Sequence, residues 1–263
     1  MTGGMRILPD FIIIGAQRCG TTSLYYYLSQ HPDVYASFPK EVHYFSNYYH
    51  KGINWYRSHF PLLWQKRRLN KNNHNTFVTG EATPYYLSHP HAPRRVFETI
   101  PDVLLIVLLR NPIERAYSHY QHEVKMGAEN LTFEEAIDRE EERLTPEMER
   151  LLEDRNYRSF NHQHFSYLSR GIYIDQLEAW SQYFHQEQLL ILKSEHFYKD
   201  PSITLRVVRE FLGLANWELD EYKKYHAARY TPMEVNTRER LARFFEPHNQ
   251  RLYAYLDVNF GWK

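Results

Sequence analysis

The sequence has one cysteine, Cys19, in 263 residues. No disulfide can form within the chain, and the stapled class of small secreted domains is excluded. Neither charge is in excess: 32 Lys and Arg balance 32 Asp and Glu. General nucleic-acid binders carry a basic excess, so no nucleic-acid partner is expected. Long apolar runs are missing as well. The longest aliphatic stretch, Val103 to Leu109, is seven residues, and mean hydropathy is −0.66. A membrane-spanning helix needs about 20 apolar residues, so no stable membrane insertion is expected. The first fifteen residues lack the apolar region and cleavage site of a secretory signal. With the lone cysteine, this gives the expectation of a cytoplasmic protein. No repeat, low-complexity tract or Pro/Gly-rich linker divides the chain, so residues 1–263 are expected to form one domain.

What is present is a large potential core, with 43% hydrophobic and 16% aromatic residues, which excludes disorder as the main state. Four apolar runs read as buried strands: Phe11–Ile14, Phe77–Glu81, Val103–Leu109 and Leu189–Leu192. Their continuous character fits strands covered on both faces. Helical patterns lie between and after them, over Thr21–Gln30, Pro112–Lys125, Tyr173–His185 and Ser202–Leu212. The alternation predicts an α/β fold: a single domain with a parallel central sheet flanked by helices, like the P-loop kinases. Residues 40–75 and 129–158 read as additions. The second holds eleven acidic and five basic residues and predicts solvated helices broken at Pro146. A last helical pattern from Leu241 to Leu256 is expected to be divided by Pro247.

The strongest local signal is Gly15-Ala-Gln-Arg-Cys-Gly20-Thr21-Thr22-Ser23, which follows a strand and opens a helix. Glycines let the backbone turn and approach a ligand. Free amides at the helix start face an anion, and three hydroxyls add donors. The pattern is a phosphate or sulfate cradle. A nucleotide kinase needs Lys after the second glycine, where Thr21 stands, and an Asp for Mg²⁺ where Arg110 ends the third strand. A ligand that needs no metal fits better. Cys19 does not begin a thiol-phosphatase loop, because the sixth residue after it is Tyr25 rather than Arg. It reads as a small buried loop residue. A second anchor follows Leu109: Arg110-Asn-Pro-Ile-Glu-Arg-Ala-Tyr-Ser118 places an arginine where a strand's carboxyl end meets a helix. Ligands of open α/β sheets bind at that edge, and a guanidinium grips phosphate with a planar fork.

These residues resemble the sulfotransferases, especially the bacterial and heparan-sulfate-type branch. Gly15–Ser23 is similar to that family's 5′-phosphosulfate loop, and Arg110 with Ser118 to its 3′-phosphate motif. Lys40-Glu41-Val-His43-Tyr-Phe45, Gly80-Glu81-Ala-Thr-Pro84-Tyr85-Tyr86, Arg170-Gly-Ile-Tyr173 to Phe211-Leu-Gly-Leu214, and Phe245-Glu-Pro-His-Asn249 to Gly261-Trp262 resemble further segments in order. The resemblance implies transfer of a sulfuryl group from 3′-phosphoadenosine-5′-phosphosulfate (PAPS) to an acceptor, leaving PAP, without a metal. It implies that Gln17, Arg18, Cys19, Gly20, Thr21, Thr22 and Ser23 hold the 5′-phosphate. Arg110 and Ser118 would hold the 3′-phosphate, with Arg229 and Tyr230 in a late loop over it. Arg18 stands where the family usually has Lys, and Ala82 where many members have Lys. Glu41 aligns with the family's catalytic base and His43 with a second polar residue of that site; a carboxyl (ordinary pKa about 4.3) and an imidazole (about 6.5) both remain candidates for the base. Arg18 would steady the leaving phosphate.

The acceptor is expected to be a small molecule or glycan, with a carbohydrate hydroxyl first and an amine, lipid or metabolite as alternatives. From other classes, a P-loop nucleotide kinase and a non-catalytic nucleotide-binding protein are kept as alternatives. Aromatic residues from Tyr44 to Trp64 read either as core or as the lining of an acceptor cleft. His119 with His122, and His162 with His164, have metal-ligand spacing, but a hydrogen-bonding role is the expected one. Lys66, Arg67, Arg68 and Lys71 read as a solvated loop.

Overall fold

The computed structural model describes residues 5–66, 77–223 and 231–262. Arg67, Arg68, Lys71, Arg229 and Tyr230 lie outside the described residues. Strands β1 (Phe11–Gly15), β2 (Val34–Ala36), β3 (Val78–Ala82), β4 (Leu104–Leu109) and β5 (Leu189–Lys193) form one sheet in the order β2-β3-β1-β4-β5. Every neighbouring pair is parallel. β1 and β4 occupy the middle, which is why their sequences are apolar at every position: helices cover both faces, and no residue from Phe11 to Ile14 or from Leu105 to Leu109 is more than 1% exposed. Gly80 of β3 is small for a packing reason. A Cβ there would lie 2.4 Å from the ring of Phe11.

The strand order reverses direction between β1 and β4. The chain leaves β1 toward the β2 side and leaves β4 toward β5. That reversal opens a crevice at the strands' carboxyl ends, the place where doubly wound sheets bind ligands. The Gly15–Gly20 loop and Arg110 both sit there. β1 also slips register against β4 at Gly15, and Ala16 N–H donates to the Leu108 carbonyl at 2.8 Å. The loop is therefore tied to the end of β4 as it leaves the sheet.

Three sequence expectations change. The Glu140–Glu153 helix runs through Pro146, and the Val235–Leu256 helix runs through Pro247. A mid-helix proline costs about 3 kcal/mol. Buried residues on both sides, Leu144 and Leu151 in one helix, Phe245 and Leu252 in the other, hold each axis across the gap. The acidic segment is not wholly solvated either. Glu140 is buried and accepts from the amides of Leu168 (2.6 Å) and Ser169 (2.8 Å). Glu129 is buried against Arg143 (2.6 Å) and the Tyr167 hydroxyl (3.0 Å). Both carboxyls fasten distant loops. Third, the aromatic segment divides: Tyr44, Phe45, Tyr56 and Phe60 belong to the core, whereas Tyr48, Trp55 and Trp64 reach the surface.

Candidate active site

The phosphate loop is built by a sharp exit from β1 and an immediate helix, Thr21–Leu28. Gly20 caps that helix at φ 93°, a left-handed backbone that disfavours any other residue. A Cβ on Gly20 would also meet Tyr198 at 3.0 Å and Phe197 at 3.3 Å. With the chain turned this way, the amides of Thr21, Thr22 and Ser23 form the open first turn, which has no intrahelical acceptors. Arg18 sits just before, also left-handed at φ 68°.

The structure brings the two expected phosphate grips together. Arg18 Nε donates to Ser118 Oγ at 3.2 Å, and Arg110 Nη1 donates to the Arg18 carbonyl at 3.3 Å. Two guanidiniums fixed on one loop offer charged donors to an anion. The nearest carboxylate to Arg110 is Glu114, whose Oε2 lies 3.8 Å from Nη2, and Glu114 is shared with Arg238 at 2.5 Å. The Tyr173 hydroxyl donates to the Arg110 backbone carbonyl (2.8 Å) and ties down the chain at this strand end. Asn111 caps the Pro112–Lys125 helix by accepting from Ile113 N–H, and its own amide donates to Glu195 at 2.8 Å. Two arginines, a hydroxyl and the helix amides on one rim suit a polyanion such as PAPS.

Cys19 contributes backbone, not thiol. Its side chain is fully buried, with Sγ 3.6 Å from the Gln17 carbonyl, and burial raises the thiol pKa. Ser194 Oγ donates to its carbonyl at 2.8 Å. Gln17 Oε1 accepts from Arg170 Nη1. Arg170 is buried, and its other terminal nitrogen donates to the carbonyls of His162 (2.5 Å) and Gln163 (3.1 Å). Burial lowers the Arg170 pKa to about 10, far enough above neutrality to keep the charge. Sequence reasoning missed this clamp, since 153 positions separate its partners.

Glu41 and His43 lie on a strap beside the end of β3. Glu41 N–H donates to the Ala82 carbonyl at 3.0 Å, and Thr83 N–H donates to the Ile13 carbonyl of β1 at 3.1 Å. The strap therefore lies at the carboxyl end of β3, and the phosphate loop and Arg110 follow β1 and β4, so the three meet at the ends of adjacent strands about 4.8 Å apart. Glu41 and His43 have left-handed backbones, φ 64° and 54°. Fewer than one non-glycine residue in ten adopts that conformation. Glu41 Oε2 lies 3.5 Å from His43 Nε2, and Glu41 Oε1 accepts from Lys40 at 2.5 Å. Burial pushes the Glu41 carboxyl up, but the imidazole and the ammonium outweigh it and hold the pKa at about 2. The carboxylate and the imidazole are thus paired on the strap.

The histidines with metal spacing have other partners. His162 Nδ1 and the Tyr85 hydroxyl are 2.8 Å apart, while His119 (3.3 Å) and His164 (2.8 Å) flank the Glu123 carboxylate.

Residues 8–246 match the model of the Sulfotransferase domain. The chain belongs to the sulfotransferase family. A sulfotransferase structure from Alicyclobacillus acidocaldarius is 31% identical, with a TM-score of 0.71 over 97% of this chain and 98% of that one. Membrane-associated sulfotransferase kil1 of Dictyostelium discoideum is 28% identical over 99% of this chain and 68% of its own length. Bifunctional heparan sulfate N-deacetylase/N-sulfotransferase 2 of Mus musculus is 30% identical over 95% of this chain, which spans 29% of that relative. As a member of the family, the chain is a PAPS-dependent transferase that moves a sulfuryl group to a small-molecule or glycan acceptor. The expectation of a cytoplasmic protein is overturned. A relative matched over 99% of the chain is membrane-associated, and an unpaired cysteine and a polar composition do not bear on such attachment. Among the described residues, no helix is long and apolar enough to cross a membrane.

Proposed function

We propose that residues 1–263 form one sulfotransferase domain that transfers the sulfuryl group of PAPS to a carbohydrate hydroxyl, with Glu41 and His43 acting together as the base. The observation that carries the reading is the joining of the two grips, Arg18 to Ser118 at 3.2 Å and Arg110 to the Arg18 carbonyl at 3.3 Å. PAPS supplies the transferable group and a bisphosphate leaving group. The amides of Gly20–Ser23, the Arg18 guanidinium and the hydroxyls of Thr21, Thr22 and Ser23 hold the 5′-phosphate end. Arg110 and Ser118 hold the 3′-phosphate. Arg18 steadies charge on the leaving oxygen, which preorganised donors do at no reorganisation cost during the reaction.

Glu41 is the more exposed member of the base pair, 41% against 17% for the His43 side chain, so its carboxylate meets the acceptor hydroxyl. The imidazole beside it shares the proton as it leaves. A positioned base contributes about 10²–10⁴ in rate.

A surface beside the strap suits a glycan. The Tyr48 ring carries two cations, Lys51 and Arg158, each 4.5 Å from its centroid, and Lys51 also lies 4.6 Å from the Trp55 ring. Phe38, two residues before Lys40, is 86% exposed. Flat rings with cations beside them accept the faces and anionic groups of sugars.

The test is transfer from radiolabelled PAPS to chemically desulfated heparan sulfate, with its amines either free or acetylated. Label on both preparations supports hydroxyl transfer. Label on the free-amine preparation alone reassigns the reaction to N-sulfation. Label on neither, with a lipid or phenol labelled instead, overturns the carbohydrate reading.

A further inference from the structure

The Glu41–His43 strap is strained at two positions, and the residues that hold it there carry no part in the reaction described above. Beneath it lies Glu81 of β3, which is fully buried. Its two carboxyl oxygens accept from three hydroxyls. Tyr56 donates to Oε1 at 2.6 Å, Tyr86 donates to Oε1 at 3.3 Å, and Thr83 donates to Oε2 at 2.7 Å. Two of those hydroxyls then accept from the strap's own backbone. Thr83 Oγ1 takes His43 N–H at 3.4 Å, and Tyr86 Oη takes Phe45 N–H at 3.3 Å.

Those two amides open the short π-helix Tyr44–Tyr48, for which His43 is the N-cap residue. Helix-start amides lack intrahelical acceptors, and a buried N–H without a partner is costly. No side chain caps this helix in the ordinary way. The carboxylate of Glu81 does so at one remove, through two hydroxyl relays. Each relay is fully directional, because a hydroxyl that gives its proton to the carboxylate can only accept from the amide. The arrangement selects the left-handed turn at His43 that aims its imidazole at Glu41.

We propose that Glu81 is a positioning residue for the base pair, acting on His43 through Thr83 and on Phe45 through Tyr86. The inference rests on the reading of Glu41 and His43 as the base. It predicts a separation between catalysis and donor binding, since the phosphate loop and Arg110 follow other strands. In Thr83→Val the relay loses its hydroxyl at nearly constant shape.

The experiment measures kcat for transfer from radiolabelled PAPS to desulfated heparan sulfate, PAP affinity by calorimetry and thermal melting, for the wild type, T83V, T83S and E81Q. A base displaced by about 1 Å loses on the order of 10²-fold in rate. The expected result is kcat about 10- to 100-fold lower in T83V and E81Q with PAP affinity unchanged, and most of the rate regained in T83S. Wild-type kcat in T83V, or a T83S as slow as T83V, overturns the inference alone. Loss of PAP binding together with activity in T83V also overturns it, because Glu81 then serves the fold at large. A wild type that binds PAP and labels no acceptor overturns the reading beneath the inference, and the inference with it.

Discussion

Replacing Gly20 by alanine tests whether the turn before the Thr21–Leu28 helix shapes the donor site. The perturbation has two parts. At φ 93° an alanine pays the left-handed penalty, about 1–2 kcal/mol. Its Cβ also stands 3.0 Å from Tyr198 Cε1, 3.2 Å from Tyr198 Oη and 3.3 Å from Phe197 Cδ1. Tyr198 is 44% exposed and can swing outward, whereas Phe197 is 1% exposed and cannot. The relief therefore comes partly from the backbone, which moves the amides of Thr21 to Ser23. The total destabilisation is about 1–3 kcal/mol. For a chain of this size that lowers the melting temperature by roughly 2–10 °C. A hydrogen bond to a charged group contributes about 1.5–3 kcal/mol, so PAP affinity falls about 10- to 100-fold.

Gly213→Ala is the control. Gly213 is left-handed too, at φ 65°, but a Cβ there meets nothing within 4 Å. That variant should lose stability and keep PAP affinity. Calorimetric titration with PAP and thermal denaturation read both quantities. Wild-type melting and wild-type PAP affinity in Gly20→Ala would refute the reasoning.

Three further outcomes follow from the geometry. Arg18→Lys keeps the charge and loses the forked donor that reaches Ser118, so PAP binding should weaken by about tenfold or less and survive; complete loss would show that the guanidinium has partners beyond this contact. Glu41 stays ionised down to about pH 2, held there by the imidazole and ammonium beside it, so this carboxyl should add no limb to kcat above about pH 4; a limb near the ordinary carboxylate pKa of about 4.3 that is absent from Glu41→Asp would contradict that hold. Burial lowers the pKa of His89 well below the usual value and brings His119 and His162 to about 3. The unfolded chain then binds protons that the folded chain refuses, so stability is full above the ordinary histidine pKa of about 6.5 and falls as pH drops from there toward 3, by up to about 1.4 kcal/mol per pH unit for each residue; a melting temperature that is flat from pH 7 to 5 would contradict this.

The central sheet was legible because β1 and β4 are covered on both faces, so burial wrote itself as uninterrupted apolar runs. β2 was not legible. It is three residues at the sheet edge, with Tyr35 and Ala36 only half-buried, and its sequence carries no period. The Pro146 and Pro247 breaks were misread because local backbone chemistry was weighed without the packing that spans each proline. At the site, the residues bound to short-range motifs were readable: a loop after a strand, an arginine at a strand end, a glutamate and histidine two apart. The residues that fix their geometry were not. Tyr56 reaches Glu81 across 25 positions, Arg170 reaches Gln17 across 153, and Tyr173 reaches the Arg110 carbonyl across 63. Such partners leave no periodic or spacing signal, since only the folded chain brings them together.

The most direct test of the account is a calorimetric titration with PAP, with and without Mg²⁺, on the wild type and Arg110→Ala, beside a titration with ATP. The account predicts PAP binding that is indifferent to Mg²⁺ and weakened about 10- to 100-fold in Arg110→Ala, the cost of one charged hydrogen-bonding group. ATP binding that requires Mg²⁺, with no binding of PAP, would contradict it.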